Sequence, residues 1–188
     1  MVFRRGTCSQ IKMPDTVTLI SNENDSFEVP YEKVFASQMI KSVLDPEYGD
    51  ALGEEEEEET LIPLPVISTH ILRKIVAFMN NYGTEVPSIP TPLKSKIFSD
   101  NVSEWDDNFL DVERDELMGL LQAADYMDMK GLLLLCSAKI AHNIRGMSTE
   151  EMREYLNIKN DFTPEEEAQV KRELAWCDDV FNLNNDGE

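Results

Sequence analysis

The chain has 188 residues, a length that suits one domain with an appendage better than two full domains. It carries 17 basic and 37 acidic side chains, a formal charge of −20. That charge repels phosphate backbones and the anionic cytoplasmic leaflet, so neither nucleic acid nor a membrane is an expected partner; the acidity either keeps the chain soluble or suits neutral and basic protein surfaces.

Residues 1–14 show no periodicity and read as a flexible tail. Thr16-Val17-Thr18-Leu19-Ile20 alternates with period two, Asn22 to Asp25 supplies turn chemistry, and Ser26 to Val29 returns as a second strand. Val34 to Leu44 places Val34, Phe35, Met39, Ile40, Val43 and Leu44 at helical spacing and predicts one helix. Asp45 to Thr60 is polar and holds six consecutive glutamates, Glu54–Glu59. Like charges at that density cannot bury, so a flexible, solvated loop is expected over about 45–60.

Leu61-Ile62-Pro63-Leu64 reads as a short strand bounded by Pro65. Ser68 or Thr69 caps a helix carrying Ile71, Leu72, Ile75, Val76 and Met79, with Gly83 just past its end. Pro87, Pro90 and Pro92 mark a second long loop over about 84–104. Asp115 then caps an apolar helix from Leu117 to Met127 that stops near Lys130-Gly131; another runs from Leu132 to Ile144 and ends at Gly146. Both are apolar around most of their circumference, which marks core helices. Short strands interleaved with helices and closed by a helical hairpin make an α+β domain.

The final segment differs. Ser148-Thr149-Glu150-Glu151 is a capping box opening a helix with Met152, Tyr155 and Leu156 on one side. Thr163-Pro164-Glu165-Glu166 is a second, with proline at the first helical position, where its missing N–H costs nothing. The helix it opens has only Val170, Leu174, Trp176 and Cys177 as apolar content. A helix of about 14 residues is marginal alone in water, so it docks either on its own domain or on a partner, and a terminal tryptophan suits an interface.

Marks of chemistry are lacking. The sequence has no G-x-S-x-G, P-loop, H-E-x-x-H or G-x-G-x-x-G pattern. His70 and His142 stand in apolar helical contexts, and Cys136 lies among leucines, where burial keeps a thiol protonated. Cys8, Cys136 and Cys177 are odd in number and widely spaced, which excludes a disulfide framework and a zinc site. Asn182 to Gly187 imitates the first half of a calcium loop, but Glu188 leaves no twelfth-position glutamate, and a disordered tail is expected over 181–188. No secretory h-region follows Met1–Arg5, and Leu132–Ala141 is too short for a bilayer. The sequons at Asn24 and Asn101 are therefore expected to stay unused in a reduced, intracellular chain. No catalytic, cofactor or metal site is expected.

Asn157 to Glu167, with Trp176-Cys177, closely resembles the Skp family, the adaptor subunits of SCF-type cullin–RING ubiquitin ligases. Ala123-Ala124-Asp125-Tyr126-Met127-Asp128-Met129-Lys130-Gly131-Leu132-Leu133 is similar to that family's core signature. Trp105-Asp106-x-x-Phe109-Leu110 and Ile62-Pro63-Leu64-Pro65 match two further segments, so the likeness covers about residues 15–180. It implies a BTB/POZ-like domain over 15–146 that contacts a cullin, and a helical extension over 147–180 that clasps an F-box protein. By position, Asp125 and Tyr126 would face the cullin. Ile140, Ile144, Leu156, Ile158, Phe162, Val170 and Trp176 would form the apolar clasp. The resemblance implies an adaptor that is not an enzyme, cytoplasmic and nuclear, with a possible homodimer when unbound. Asp125 stands where the family usually has asparagine, Gln122 where it has an aliphatic residue, and Met118 where it has phenylalanine. Pro164 resembles a proline that some branches hydroxylate and glycosylate; the reading preferred here is a plain helix-opening proline that needs no modification. The competing reading is a self-associating BTB/POZ or elongin-C-like subunit without a ubiquitination role.

Overall fold

The computed structural model describes residues 15–44 and 60–182, with side chains up to residue 174. The expectations for the N-terminal tail, the glutamate run and residues 183–188 lie outside these. The chain parts into two compact units, Met1–Arg145 and Gly146–Glu188.

In the first unit, β1 (Thr16–Ile20) pairs antiparallel with β2 (Ser26–Pro30), Val17 opposite Val29. The period-two pattern puts Val17 and Leu19 into the core. The turn between them closes through a hydroxyl relay. Asp25 N–H donates to Ser21 Oγ (3.1 Å), Ser21 and Thr69 hydroxyls meet at 2.8 Å, and Thr69 Oγ1 donates to Asp25 Oδ2 at 2.7 Å. Thr69 thus serves the hairpin rather than capping its own helix. β3 (Leu61–Pro63) adds in parallel on the far side of β1, giving the order β2-β1-β3. As an edge strand it tolerates Pro63, whose nitrogen has no hydrogen to donate.

The single helix predicted over Val34–Leu44 is instead two, α1 (Tyr31–Val34) and α2 (Gln38–Leu44). Ser37 breaks it. Its fully buried hydroxyl donates to the Met127 carbonyl at 2.6 Å and accepts from Ile40 N–H at 3.1 Å, the local bonding by which serine competes with a helix interior.

Helix α3 (Thr69–Tyr82) buries Leu72, Ile75, Phe78 and Met79 and ends at Gly83, whose φ of +57° suits a residue without Cβ. The long connection after it is organised by buried Asn101. Its Oδ1 accepts from the amides of Lys94 and Ser95, and its Nδ2 donates to the carbonyls of Ser95 and Ile97.

α4 (Glu104–Phe109) opens on a capping box from Ser103 and Asp106. Asp106 is 2% exposed; its carboxylate accepts from Ser103 Oγ at 2.7 Å and from Tyr82 Oη at 2.8 Å. Partial burial, and then that bond to Asp106, raise the Tyr82 phenol above its ordinary pKa. Trp105 stacks on Phe109 with centroids 4.8 Å apart.

α5 (Arg114–Tyr126) starts two residues earlier than the cap at Asp115 predicted, with Glu113 at the N-cap. α6 (Lys130–Asn143) completes the core hairpin. Gly131 is a packing residue and not the terminator its sequence position suggested: a Cβ there would stand 3.1 Å from Pro87 Cδ and 3.4 Å from Phe78 Cζ. In the second unit, α7 (Thr149–Leu156) is followed by α8 (Pro164–Asn182), whose backbone runs two residues into the tail expected to begin at 181.

Candidate functional site

Helix α5 ends in a turn built on Asp128, at φ +47°. The Met127 and Met129 amides return to the carbonyls of Ala123 and Ala124 at 3.0 and 2.8 Å. This turn buries Met127 and Met129 and leaves Asp125 and Tyr126 outside, Tyr126 44% exposed. Gln122, one turn earlier, is exposed beside them.

The first amides of α2 lean on the same turn, Gln38 N–H to Asp128 O at 3.3 Å and Met39 N–H to Met127 O at 3.4 Å. Between them opens a cleft of about 510 Å³ whose lining includes Phe35, Gln38, Lys41, Val86, Asp128 and Lys130. This cleft beside the Met127–Asp128 turn escaped the sequence reading, because only the long-range bonds of Ser37, Gln38 and Met39 bring α2 there. The serine inside an apolar helical run was the available signal.

At the end of α6, Ile140 is half-buried against the core and Ile144 is the half-buried C-cap. Their neighbour His142 lies with its ring 5.4 Å from Phe98. Cys136, on the same helix, is fully buried, and desolvation pushes its thiol up to about 12.

In the second unit, both capping boxes form. Ser148 Oγ accepts from Glu151 N–H while Glu151 Oε2 accepts from Ser148 N–H at 2.7 Å. Glu166 Oε2 likewise accepts from Thr163 N–H at 2.9 Å. Backbone donation by Ser148 and by Thr163 lowers the Glu151 and Glu166 carboxyls below the ordinary carboxylate value. Helix α7 buries no side chain fully; Leu156 is half-buried. Ile158, Phe162 and Val170 stand 55%, 47% and 37% exposed. Pro164 is the exposed first residue of α8, and Trp176 lies within α8, beyond the described side chains. Exposed apolar side chains on capped helices suit a protein partner rather than chemistry.

Among the described residues no group of three His, Cys, Asp or Glu could hold a metal ion, and no helix is long and apolar enough to cross a membrane.

A three-stranded sheet covered by helices and followed by a helical hairpin defines an α+β protein of the BTB/POZ type with a helical C-terminal region. Residues 15–84 match the Skp1 family tetramerisation domain and residues 130–177 the Skp1 family dimerisation domain. Over 166 residues, 87% of the chain, it is 37% identical to the Skp1-related protein of Caenorhabditis elegans, covering 92% of that protein. It is 36% identical to the E3 ubiquitin ligase complex SCF subunit sconC of Aspergillus flavus and to that of Aspergillus oryzae, covering 98% of each. The chain belongs to the Skp1 family.

Proposed function

We propose that the chain is an adaptor of an SCF-type E3 ubiquitin ligase, bridging a cullin and F-box substrate receptors in protein ubiquitination without doing chemistry itself. The observation that carries this is the second unit: two firmly capped helices that leave Ile158, Phe162 and Val170 in solvent, in a chain alike over most of its length to an SCF subunit. The F-box clasp is assigned to Ile140, Ile144, Leu156, Ile158, Phe162, Val170 and Trp176. The cullin face is assigned to Asp125 and Tyr126. Unbound, the chain would cover its apolar residues by forming a homodimer. Location in both cytoplasm and nucleus belongs to the same reading. Pro164, exposed at the start of α8, is either a modification site or simply a helix-opening residue, and the mass of its peptide decides between them.

The test is affinity purification of the full chain. Recovery of a cullin together with F-box proteins is expected; recovery of a homo-oligomer alone would favour the elongin-C-like reading, which the SCF relatives do not favour. Binding energy at such a clasp concentrates in buried aromatic anchors, so Trp176→Ala is expected to weaken F-box binding by about 2 kcal/mol or more, roughly thirtyfold. Titration of a purified F-box domain measures this, and indifference to the change would remove Trp176 from the clasp.

A further inference from the structure

We infer that Glu167 and Arg153 are positioning residues that preset the α7–α8 elbow for its partner. The inference rests on the reading of this hairpin as the F-box clasp. A helical hairpin normally takes its angle from an apolar core, but α7 has no buried residue. Among the described side chains of α8, residues 164–174, Glu167 is the least exposed, at 31% of its side chain. A carboxylate, not a hydrophobe, is therefore the most enclosed group at the start of this helix.

Its bonds explain the enclosure. Glu167 Oε1 accepts from Arg153 Nη1 at 3.5 Å and from Asn160 Nδ2 at 3.2 Å, so one oxygen joins α7, the connecting loop and the first turns of α8. The loop between is shaped to match. Asn157 takes a left-handed conformation at φ +54°, Ile158 N–H closes on Arg153 O at 2.8 Å, and Asn160 Oδ1 accepts from Phe162 N–H at 3.3 Å. The Arg153 guanidinium also lies 5.8 Å from the centre of the Phe162 ring, holding by cation–π attraction an aromatic that otherwise faces water. The bracket thus orients Ile158 and Phe162 without contacting a partner. A clasp whose competent shape is only part of the free ensemble binds more weakly in proportion to that fraction.

The test uses the full chain with Glu167→Ala, Glu167→Gln and Arg153→Met, mixed with a purified F-box domain in stopped flow. A partly exposed ion pair with one added hydrogen bond predicts that Glu167→Ala and Arg153→Met slow association about 3- to 10-fold and leave dissociation unchanged. Glu167→Gln keeps an acceptor oxygen and should recover most of the rate. Hydrogen exchange of the amides from Ile158 to Thr163 in the unbound chain should quicken in the first two variants, at unchanged helix content. Parent-like association and exchange overturn the proposal, as does a loss confined to dissociation, which would mean direct contact. If the parent chain binds no F-box domain, the adaptor reading falls and this proposal with it.

Discussion

Ser37 shows how one hydroxyl redirects a backbone. It sits in a run whose apolar spacing is helical on both sides, yet its oxygen is shared between Met127 O and Ile40 N–H at zero exposure. Removing that oxygen strands the buried Ile40 N–H and leaves Met127 O only its longer bond from Met39 N–H, so Ser37→Ala is expected to cost about 1–3 kcal/mol. Thermal or urea unfolding measures it, and a change below half a kilocalorie would mean that water replaces both bonds. Gly131 teaches the same lesson. In the sequence a glycine after a lysine looks like a helix stop, whereas what matters is the missing Cβ against Pro87 and Phe78. Neither residue announces its partner, because each partner is distant in the chain.

At the scale of elements, the helices of the second unit depend on their first turns. Glu151 and Glu166 have folded-state pKa values below the ordinary 4.5. A lowered value means that the stabilisation is present above 4.5 and is lost as the pH falls through the folded value. Circular dichroism should therefore show helix content falling as the solution is acidified below about 4.5. Glu151→Gln with Glu166→Gln keeps an acceptor for the Ser148 and Thr163 amides but removes the titrating carboxyl, and should flatten the acid response; an acid response unaltered by the pair would place its origin elsewhere. These two starts were legible in the sequence, since a capping box is a four-residue pattern that needs no distant partner. The elbow was not. Nothing in the spacing of Arg153, Asn160 and Glu167 says that they converge, because the loop between them must first turn through Asn157.

For the whole molecule, one core unites sheet and helices in the first unit, and Cys136 lies within it. Its thiol is raised from 9.0 to about 12 by desolvation. The unfolded chain therefore ionises first, so stability is intact below pH 9 and is lost progressively as the pH rises toward 12. Unfolding between pH 8 and 11 should become easier in the parent and less so in Cys136→Ala compared with its own value at pH 8. Thiol reagents should spare Cys136 until the unit unfolds; equal reactivity in folded and unfolded chain would contradict the burial. The sequence by itself determined the features written in local code: the β-hairpin, the apolar α5–α6 pair, the two capping boxes and the α+β class, each set by periodicity or by neighbours within four residues. Tertiary structure alone decided the break at Ser37, the seating of α2 on the Asp128 turn, the exposure of Tyr126, Ile158 and Phe162, and the enclosure of Glu167. Those depend on groups far apart in the chain, and a residue's burial is fixed only once the elements around it have packed.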